Sequence, residues 1–203
     1  MQNSTIEDFF QKQTEIIIYD TEFTTWEGAM QRNWSGPGEH RELVQIAAQK
    51  INVQTSEVID SFEVLVRPQI NPLLSDYFVT LTHVTQEQIE NNGVYFDEAY
   101  TSFMQWSVGL QKYSFSQTQD SSSDRGVLQE NIRLYKLPVQ LDESEFGTVT
   151  SVFQAAGLDT SQYNSGRLYQ AFGLDLPGHQ HNAMHDVDSI VASLFVVKEK
   201  FLN

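Results

Sequence analysis

The sequence contains no cysteine, which excludes disulfide bonds, thiolate metal sites and cysteine nucleophiles. It also has no apolar run near the roughly 18 residues that a membrane-spanning helix needs. The first segment, Met1–Phe10, lacks the basic start and the long apolar stretch of a signal peptide. We therefore expect a soluble protein without a membrane partner, located in the cytoplasm.

Positive charge is scarce, because 12 Lys and Arg residues stand against 27 Asp and Glu residues and leave a net charge of −15. A protein that grips long duplexes by neutralising phosphates favours a basic face, so this composition argues against a broad nucleic-acid binder. It does not exclude an enzyme that handles one nucleic-acid end through bound cations. The 203 residues are enough for one compact domain with a substantial core.

The most informative stretch is Glu15–Glu22, where three isoleucines and a tyrosine lead directly into Asp20 and Glu22. A short β-branched run bounded by polar residues predicts a strand that is buried on both faces. Because strand side chains alternate, the two carboxylates point the same way, with Thr21 opposite. Adjacent carboxylates repel each other and are costly to desolvate. The pair therefore indicates either a cation held between them or two solvated acids where a strand leaves the sheet.

Two further strands are predicted at Leu43–Ile51 and Val58–Val66, and the short polar link between them predicts a hairpin. With the first strand they form three consecutive strands, which we expect in one sheet. Residues 1–13 are predicted to be an N-terminal leading segment, and residues 14–203 the functional domain.

A pair of helices is predicted next along the chain. Leu81–Ile89 has the pattern of a loop entering a helix, with Thr85 as N-cap and Gln88 completing a capping box. The apolar spacing then predicts a helix over Phe96–Trp106. His83 precedes both helices, and we interpret it as a surface or structural residue and not as a metal ligand.

A polar, serine-rich stretch, Gln117–Ser123, follows a predicted short strand at Tyr113–Ser116 and leads to Asp124. The helical pattern Val127–Ile132 comes directly afterwards. Asp124 or Ser123 is therefore a candidate N-cap, a role worth about 1 kcal/mol that would by itself explain the presence of Asp124.

The last helix is predicted to start near Asn182. Its periodicity places Asp186 at one rim of the apolar face, Asp188 near the other rim and His185 on the polar side. Either aspartate is a candidate for a site where the helix meets the sheet, and periodicity does not choose between them. His181 and His185 share a helix face and suggest a zinc set with Asp188, but the glutamate of the metalloprotease pattern is missing, so zinc is disfavoured.

Together these segments resemble the DEDDh 3′→5′ exonucleases, a branch of the ribonuclease H-like superfamily, and in particular its histone-mRNA-processing and RNA-silencing group with their bacterial relatives. The family's first motif, Asp-x-Glu after an apolar strand, matches Asp20-Thr21-Glu22. Its third motif, a histidine followed after four residues by an aspartate, matches His181 and Asp186. The resemblance therefore selects Asp186 over Asp188.

The resemblance extends over most of the chain. Leu81–Ile89 is similar to the family's Leu-Thr-Gly-Ile-Thr-like segment. For the second motif the family has an aspartate at the head of a helix, after a strand. Asp124 fits that description best, and Asp120 in the serine-rich stretch is the alternative.

The resemblance implies an α/β protein of the ribonuclease H-like fold, with a mixed central β-sheet flanked by helices. It implies two divalent cations, Mg²⁺ or Mn²⁺, as cofactors. The carboxylates that it assigns to these metals are Asp20, Glu22, Asp124 and Asp186. Hard cations prefer such oxygen ligands. His181 is the implied general base.

The activity that the resemblance implies is removal of nucleoside 5′-monophosphates from the 3′ ends of RNA or single-stranded DNA. The partner is accordingly a nucleic-acid 3′ end, contacted by the backbone from Thr21 to Thr24 and by the side chain of Phe23. Two alternatives from other classes are a catalytically impaired nucleic-acid or protein-binding module on the same fold and a phosphodiesterase acting on very short oligonucleotides.

Overall fold

The structure, a computed structural model, describes residues 2–118 and 123–202. Its sheet has five strands in the order β3-β2-β1-β4-β5, so that β1 is central. Strands β1, β2 and β3 are antiparallel neighbours, whereas β4 and β5 run parallel to β1. The bounds are β1 Glu15–Phe23, β2 Leu43–Asn52, β3 Glu57–Leu65, β4 Lys112–Ser114 and β5 Phe146–Thr148. This mixed sheet confirms the predicted fold class, and the predicted hairpin is β2 and β3.

Strand β1 is buried on both faces, as its isoleucine run predicts. Ile16 and Ile18 point into one apolar core, and Ile17 and Tyr19 point into another on the opposite face. Because both faces are covered, the strand is fixed between two helical layers. Its carboxyl end, which carries the acidic pair, therefore has a fixed position between these two layers.

Seven α-helices are found in the described part of the chain: α1 Gln2–Gln11, α2 Asp76–Thr82, α3 Gln86–Asn92, α4 Phe96–Trp106, α5 Asp124–Leu134, α6 Thr150–Ala155 and α7 Ala183–Leu202. Short 3-10 helices cover Glu143–Glu145, Thr160–Gln162 and Ser165–Phe172. The capping box of Thr85 and Gln88 is present at the start of α3, as predicted. None of the described helices is long and apolar enough to span a membrane.

The helices form a layer on each face of the sheet. On one face α7 packs with α1 and α6 over Ile16 and Ile18, and on the other face α4 and α5 cover Ile17 and Tyr19. Helix α1 buries Ile6 in the first of these cores. The division of the chain after residue 13 stays a prediction.

The environment of His185 differs from the sequence prediction. The periodicity of α7 predicts a position on the polar side, but the side chain is only 6% exposed. Its Nδ1 lies 3.2 Å from the Pro177 carbonyl oxygen and its Nε2 lies 3.2 Å from that of Gly166. The prediction was wrong because two chain segments outside the helix cover this face, and helical periodicity contains no information about them.

Candidate active site

A cleft of about 440 Å³ opens where the end of β1 meets the starts of α5 and α7. All four carboxylates predicted to bind metal line this cleft, and so does the predicted general base. These residues are Asp20, Glu22, Asp124, His181 and Asp186. The fold thus brings together side chains that lie up to 166 positions apart in the sequence.

The first two carboxylates come from β1. Alternation along the strand places Asp20 and Glu22 on the same side, and both are largely buried. Thr21 between them binds the next carboxylate, because its backbone N–H and its Oγ1 both donate to Asp124 Oδ1, at 3.1 and 2.8 Å. Strand β1 therefore supplies two acids and positions a third.

Asp124 is the first residue of α5 but is not the helix cap. Ser123 is the N-cap, and its hydroxyl accepts a hydrogen bond from the Gly126 backbone N–H. The carboxylate of Asp124 is consequently free to point at Thr21 and the cleft. Asp120, the alternative for the second motif, lies outside the described residues, so the choice between the two stays a prediction.

Asp186 is fixed by two hydrogen bonds at the start of α7. Its Oδ2 accepts from Ser165 Oγ at 2.8 Å, and its Oδ1 accepts from the His181 backbone N–H at 3.1 Å. Gly166 also lies close, since a Cβ there would come within 2.3 Å of Oδ1. Asp188 instead accepts a hydrogen bond from Gln49 Nε2 at 2.7 Å. It ties α7 to β2 and does not line the cleft.

Burial, reinforced at Asp20 and Glu22 by repulsion between the acids, perturbs the carboxylates of the cleft. Burial raises the pKa of Asp20 well above its usual value, and the charges of Asp124, Asp186 and Glu22 add to the rise. The pKa of Glu22 is raised well above its usual value, first by burial and then by Asp186 and Asp124. Burial also raises the pKa of Asp124. Concentrated negative charge is therefore the electrostatic property of this cleft.

Two further groups of the cleft have shifted pKa values. Burial raises the pKa of Asp186 to about 6, although the hydrogen bonds from Ser165 and His181 act against the rise. The pKa of His181 is lowered, mainly by burial and partly by the neighbouring His179. The His181 ring is therefore predominantly neutral near pH 7 and can accept a proton.

The arrangement has the properties of a cation site. One ligand atom each from Glu22, His181 and Asp186 lies within 4.8 Å of the others. Asp20 and Asp124 line the same cleft and add two carboxylates. A donor set dominated by carboxylate oxygens suits hard divalent cations such as Mg²⁺ and Mn²⁺, and a bound cation would relieve the repulsion that raises the pKa values. The residues present therefore fit the metals that the sequence implies.

The predicted substrate-binding residues differ in their access to the cleft. Thr21 and Phe23 line it, whereas Thr24 does not. The Thr24 hydroxyl donates to the His40 carbonyl oxygen and accepts from the Glu42 backbone N–H, so it is used inside the fold. Trp34 packs against Phe23, with ring centroids 5.5 Å apart. Trp34 is therefore a packing partner of Phe23.

Several cleft residues were not identified from the sequence. Ser165 holds Asp186, and Tyr163 and Asn164 beside it line the opposite wall. Met30, with 74% of its surface exposed, completes the wall on the side of Phe23. No local motif marks these positions, because the tertiary fold brings them to the cleft from segments outside the strands and α-helices.

Comparison with known proteins agrees with this geometry. The model of the family RNase_T, described as Exonuclease, matches residues 17–194. Over 113 residues the chain is 32% identical to human 3'-5' exoribonuclease 1, and this aligned region is 54% of this chain and 30% of the relative. Over 97 residues it is 32% identical to ERI1 exoribonuclease 2 of Xenopus laevis, and this aligned region is 48% of this chain and 13% of the relative. The chain thus spans less than a third of the length of either relative.

The fold has a counterpart among solved structures. The nuclease domain of 3'hExo, a DEDDh family member bound to rAMP, superposes with a TM-score of 0.75 over 92% of both chains at 22% identity. This confirms the ribonuclease H-like fold that the sequence implies. The predicted resemblance to the DEDDh exonucleases is confirmed as well.

Proposed function

Because the chain belongs to the RNase_T exonuclease family and has the DEDDh type of fold, we propose that it removes nucleoside 5′-monophosphates from the 3′ ends of nucleic acids. The observation that supports this activity most directly is the convergence of four carboxylates and a neutral histidine on one cleft. The arrangement matches the requirement of a metal-dependent phosphodiester hydrolase for oxygen ligands and a proton acceptor.

We assign the cation ligands to Asp20, Glu22, Asp124 and Asp186. Two divalent cations, when bound, supply activation of the attacking water and neutralisation of charge on the leaving oxygen. The protein's own contribution is to fix the ligands in place. Thr21 orients Asp124 through two hydrogen bonds, and Ser165 orients Asp186 through one.

His181 is the proposed general base. Its lowered pKa keeps the ring neutral at pH 7, so that a ring nitrogen can take the proton from the attacking water. The His181 backbone N–H donates to Asp186, which holds the residue beside the metal-binding carboxylates. Its ring also lies within ligand distance of that cluster. We prefer the role of base because the carboxylates already supply an oxygen set suited to hard cations.

The substrate is proposed to be the 3′ end of RNA or single-stranded DNA. Phe23 offers an aromatic surface at the cleft wall for the terminal nucleotide, and the backbone near Thr21 lines the same wall. The two relatives are named exoribonucleases, and the structural neighbour is bound to rAMP. These names favour RNA as the first substrate to test.

A trimming assay on 5′-labelled single-stranded RNA and matched DNA, with Mg²⁺ or Mn²⁺, tests the proposal. We expect a ladder of products shortened from the 3′ end and release of nucleoside 5′-monophosphates. Asp20→Ala and Asp186→Ala should reduce the rate about 10³-fold or more, because several kcal/mol of transition-state stabilisation are lost. Asp188→Ala, on the same helix as Asp186 but outside the cleft, should retain most of the activity.

The outcomes separate the candidate functions. If the wild-type protein trims neither RNA nor DNA with either cation, the proposed activity is wrong and a binding module on the same fold is favoured. If Asp188→Ala is as inactive as Asp186→Ala, the assignment of the cleft aspartate is wrong.

A second candidate, hydrolysis of very short oligonucleotides, is favoured by the charge distribution. The net charge is −15, and the carboxylates dominate the charge of the cleft. A long strand would gain little from phosphate contacts on such a surface. Trimming restricted to dimers and trimers in the same assay would favour this candidate over a general exonuclease.

A further inference from the structure

The histidine proposed as general base lies in an irregular segment between the 3-10 helix Ser165–Phe172 and α7. His181 has a left-handed backbone, with φ at 64°, and its N–H is anchored to Asp186 on the C-terminal side. The anchor on the N-terminal side is His179. Its Nε2 lies 3.0 Å from the Leu81 carbonyl oxygen at the end of α2.

A second contact reinforces that anchor. The rings of His83 and His179 are stacked almost parallel, with centroids 3.6 Å apart and planes inclined by 9°. His83 is the C-cap of α2, and its backbone N–H donates to the Val79 carbonyl oxygen. The end of α2 therefore holds His179, two residues before His181, by both a hydrogen bond and a ring stack.

The other end of α2 contacts the chain just beyond β1. Ser75 caps the helix, and its hydroxyl donates to the Thr25 carbonyl oxygen just beyond β1. Helix α2 therefore connects the chain that follows Phe23 with the segment that carries His181. One short, capped helix thus contacts both Thr25, two residues after Phe23, and His179, two residues before His181.

His83 adopts a backbone conformation that ordinarily suits glycine. Its φ is 61°, a left-handed value that a residue with a Cβ rarely adopts without compensation. Glycine would satisfy the backbone of this cap equally well. What glycine cannot provide is the ring that stacks on His179. The exposed side chain thus contributes a contact that the helix cap itself does not need.

We propose that His83 and His179 are positioning residues for the general base. Their stack, together with the bond from His179 to Leu81, fixes the segment before α7 so that the His181 ring stays at the cleft. Neither residue touches the reacting atoms. This assignment rests on the proposed exonuclease activity for its kinetic consequence, but its structural consequence, an ordered segment at residues 176–182, is independent of that activity.

The decisive variant is His83→Gly. It removes the stacking ring while giving the left-handed cap its preferred residue, so the melting temperature should not fall. We expect kcat to drop about tenfold with KM changed less than about twofold, because misplacement of a catalytic group affects the reaction more than binding. Amide hydrogen exchange across residues 176–184 should become faster.

Three companion variants isolate the stack. His83→Phe keeps an aromatic ring at the cap and should retain kcat within about threefold of wild type. His179→Ala removes both contacts and should lose at least as much activity as His83→Gly. Lys136→Gly introduces glycine at another left-handed position, with φ at 53°, beyond the end of α5. It should change neither kcat nor the rate of amide hydrogen exchange at residues 176–184.

Each outcome bears on the proposal. Unchanged kcat and unchanged exchange in His83→Gly would overturn it, and so would equal losses in His83→Gly and His83→Phe. Equal effects in Lys136→Gly would show that added backbone freedom, and not the lost stack, is the cause. If the wild-type protein is inactive, the proposed function fails and exchange alone decides: faster exchange at residues 176–184 supports the positioning role, and unchanged exchange refutes it.

Discussion

The protein buries carboxylates in two regions, and the two regions are built in opposite ways. Glu42, next to β2, is fully buried and accepts hydrogen bonds from the backbone N–H groups of Gln69, Ile70 and Asn71. The Asn71 side-chain amide and the Tyr135 hydroxyl donate to it as well. In the cleft, by contrast, several acids lie together, and the Glu22 carboxylate accepts no hydrogen bond from the described residues.

The difference distinguishes a structural carboxylate from a functional one. Five donors surround Glu42, so its charge is compensated by the fold itself and the carboxylate holds the 69–71 loop in place. Burial raises the pKa values of Asp20 and Glu22 in the cleft, and repulsion from the neighbouring acids adds to the rise. Hydrogen bonds from Thr21, Ser165 and the His181 backbone compensate Asp124 and Asp186 only in part, so negative charge stays concentrated in the cleft. Divalent cations would compensate that charge.

The largest effect expected from this comparison is that of Glu42→Gln. The amide keeps the size of the side chain but replaces one acceptor oxygen by a donor, so at least two of the surrounding donors lose their partner. Because hydrogen bonds to charged groups contribute about 1.5–3 kcal/mol each, we expect the free energy of unfolding to fall by about 4 kcal/mol. Urea denaturation measures this change, and kcat of the folded protein should be nearly unaffected. A loss below about 1 kcal/mol would contradict the structural role.

The next effect is a pH dependence of the metal-free protein. The pKa of Asp186 rises from 3.8 to about 6 in the folded state, so the folded protein retains a proton there that the unfolded chain has already released. The contribution of Asp186 to the free energy of unfolding is therefore fully present below about pH 4. It is lost as the pH rises through about 6, and the loss amounts to about 3 kcal/mol. The raised pKa values of Asp20, Glu22 and Asp124 add to this decrease in the same direction.

Urea midpoints between pH 5 and pH 8, in the presence of a chelator, measure this dependence. His181 acts in the other direction near pH 6, since its pKa is lowered, but four carboxylates outweigh one imidazole. Stability that is constant or that increases over this range would show that the cleft acids are not destabilising.

The smallest of these effects is that of Glu22→Gln, the same substitution in the other region. Removing one charge from the cleft relieves the repulsion from Asp186 at a cost of no hydrogen bond described in the structure. We expect the metal-free protein at pH 8 to gain about 2 kcal/mol of unfolding free energy, on the order of the repulsion between charges about 5 Å apart in a partly buried site. A loss of stability, as in Glu42→Gln, would remove the distinction between the two regions.

The sequence predicts the two regions unequally. Strand β1 and its acidic pair were identified correctly because the information is local: a β-branched run, alternation and an abrupt change to acidic residues. The role of Glu42 was not identified, since its donors lie 27 to 93 positions away and belong to a loop and to a distant tyrosine. Backbone N–H groups, an asparagine and a tyrosine form no sequence motif, so only the folded structure shows that they surround Glu42.

Helical periodicity was not sufficient to predict the environment of the side chains at the start of α7. The apolar pattern of α7 placed Asp186 and Asp188 at opposite rims and did not choose between them. Their tertiary partners distinguish them in the structure, since Asp186 is bonded by Ser165 of the 3-10 helix Ser165–Phe172 and Asp188 by Gln49 of β2. The prediction for His185 was wrong for the same reason, because segments outside α7 at Gly166 and Pro177 cover its side chain.

Thermal unfolding with and without Mn²⁺ tests directly whether the cleft acids form a divalent-cation site. At a Mn²⁺ concentration about 100-fold above Kd the folded state gains about 2.7 kcal/mol, which corresponds to a rise in Tm of about 5–10 °C for a chain of this size. We predict that rise for the wild-type protein and for Glu42→Gln, and little or none for Glu22→Gln. Equal melting temperatures with and without Mn²⁺ in the wild-type protein would show that the cleft acids do not bind the cation. An equal rise in Glu22→Gln would show that Glu22 is not one of its ligands.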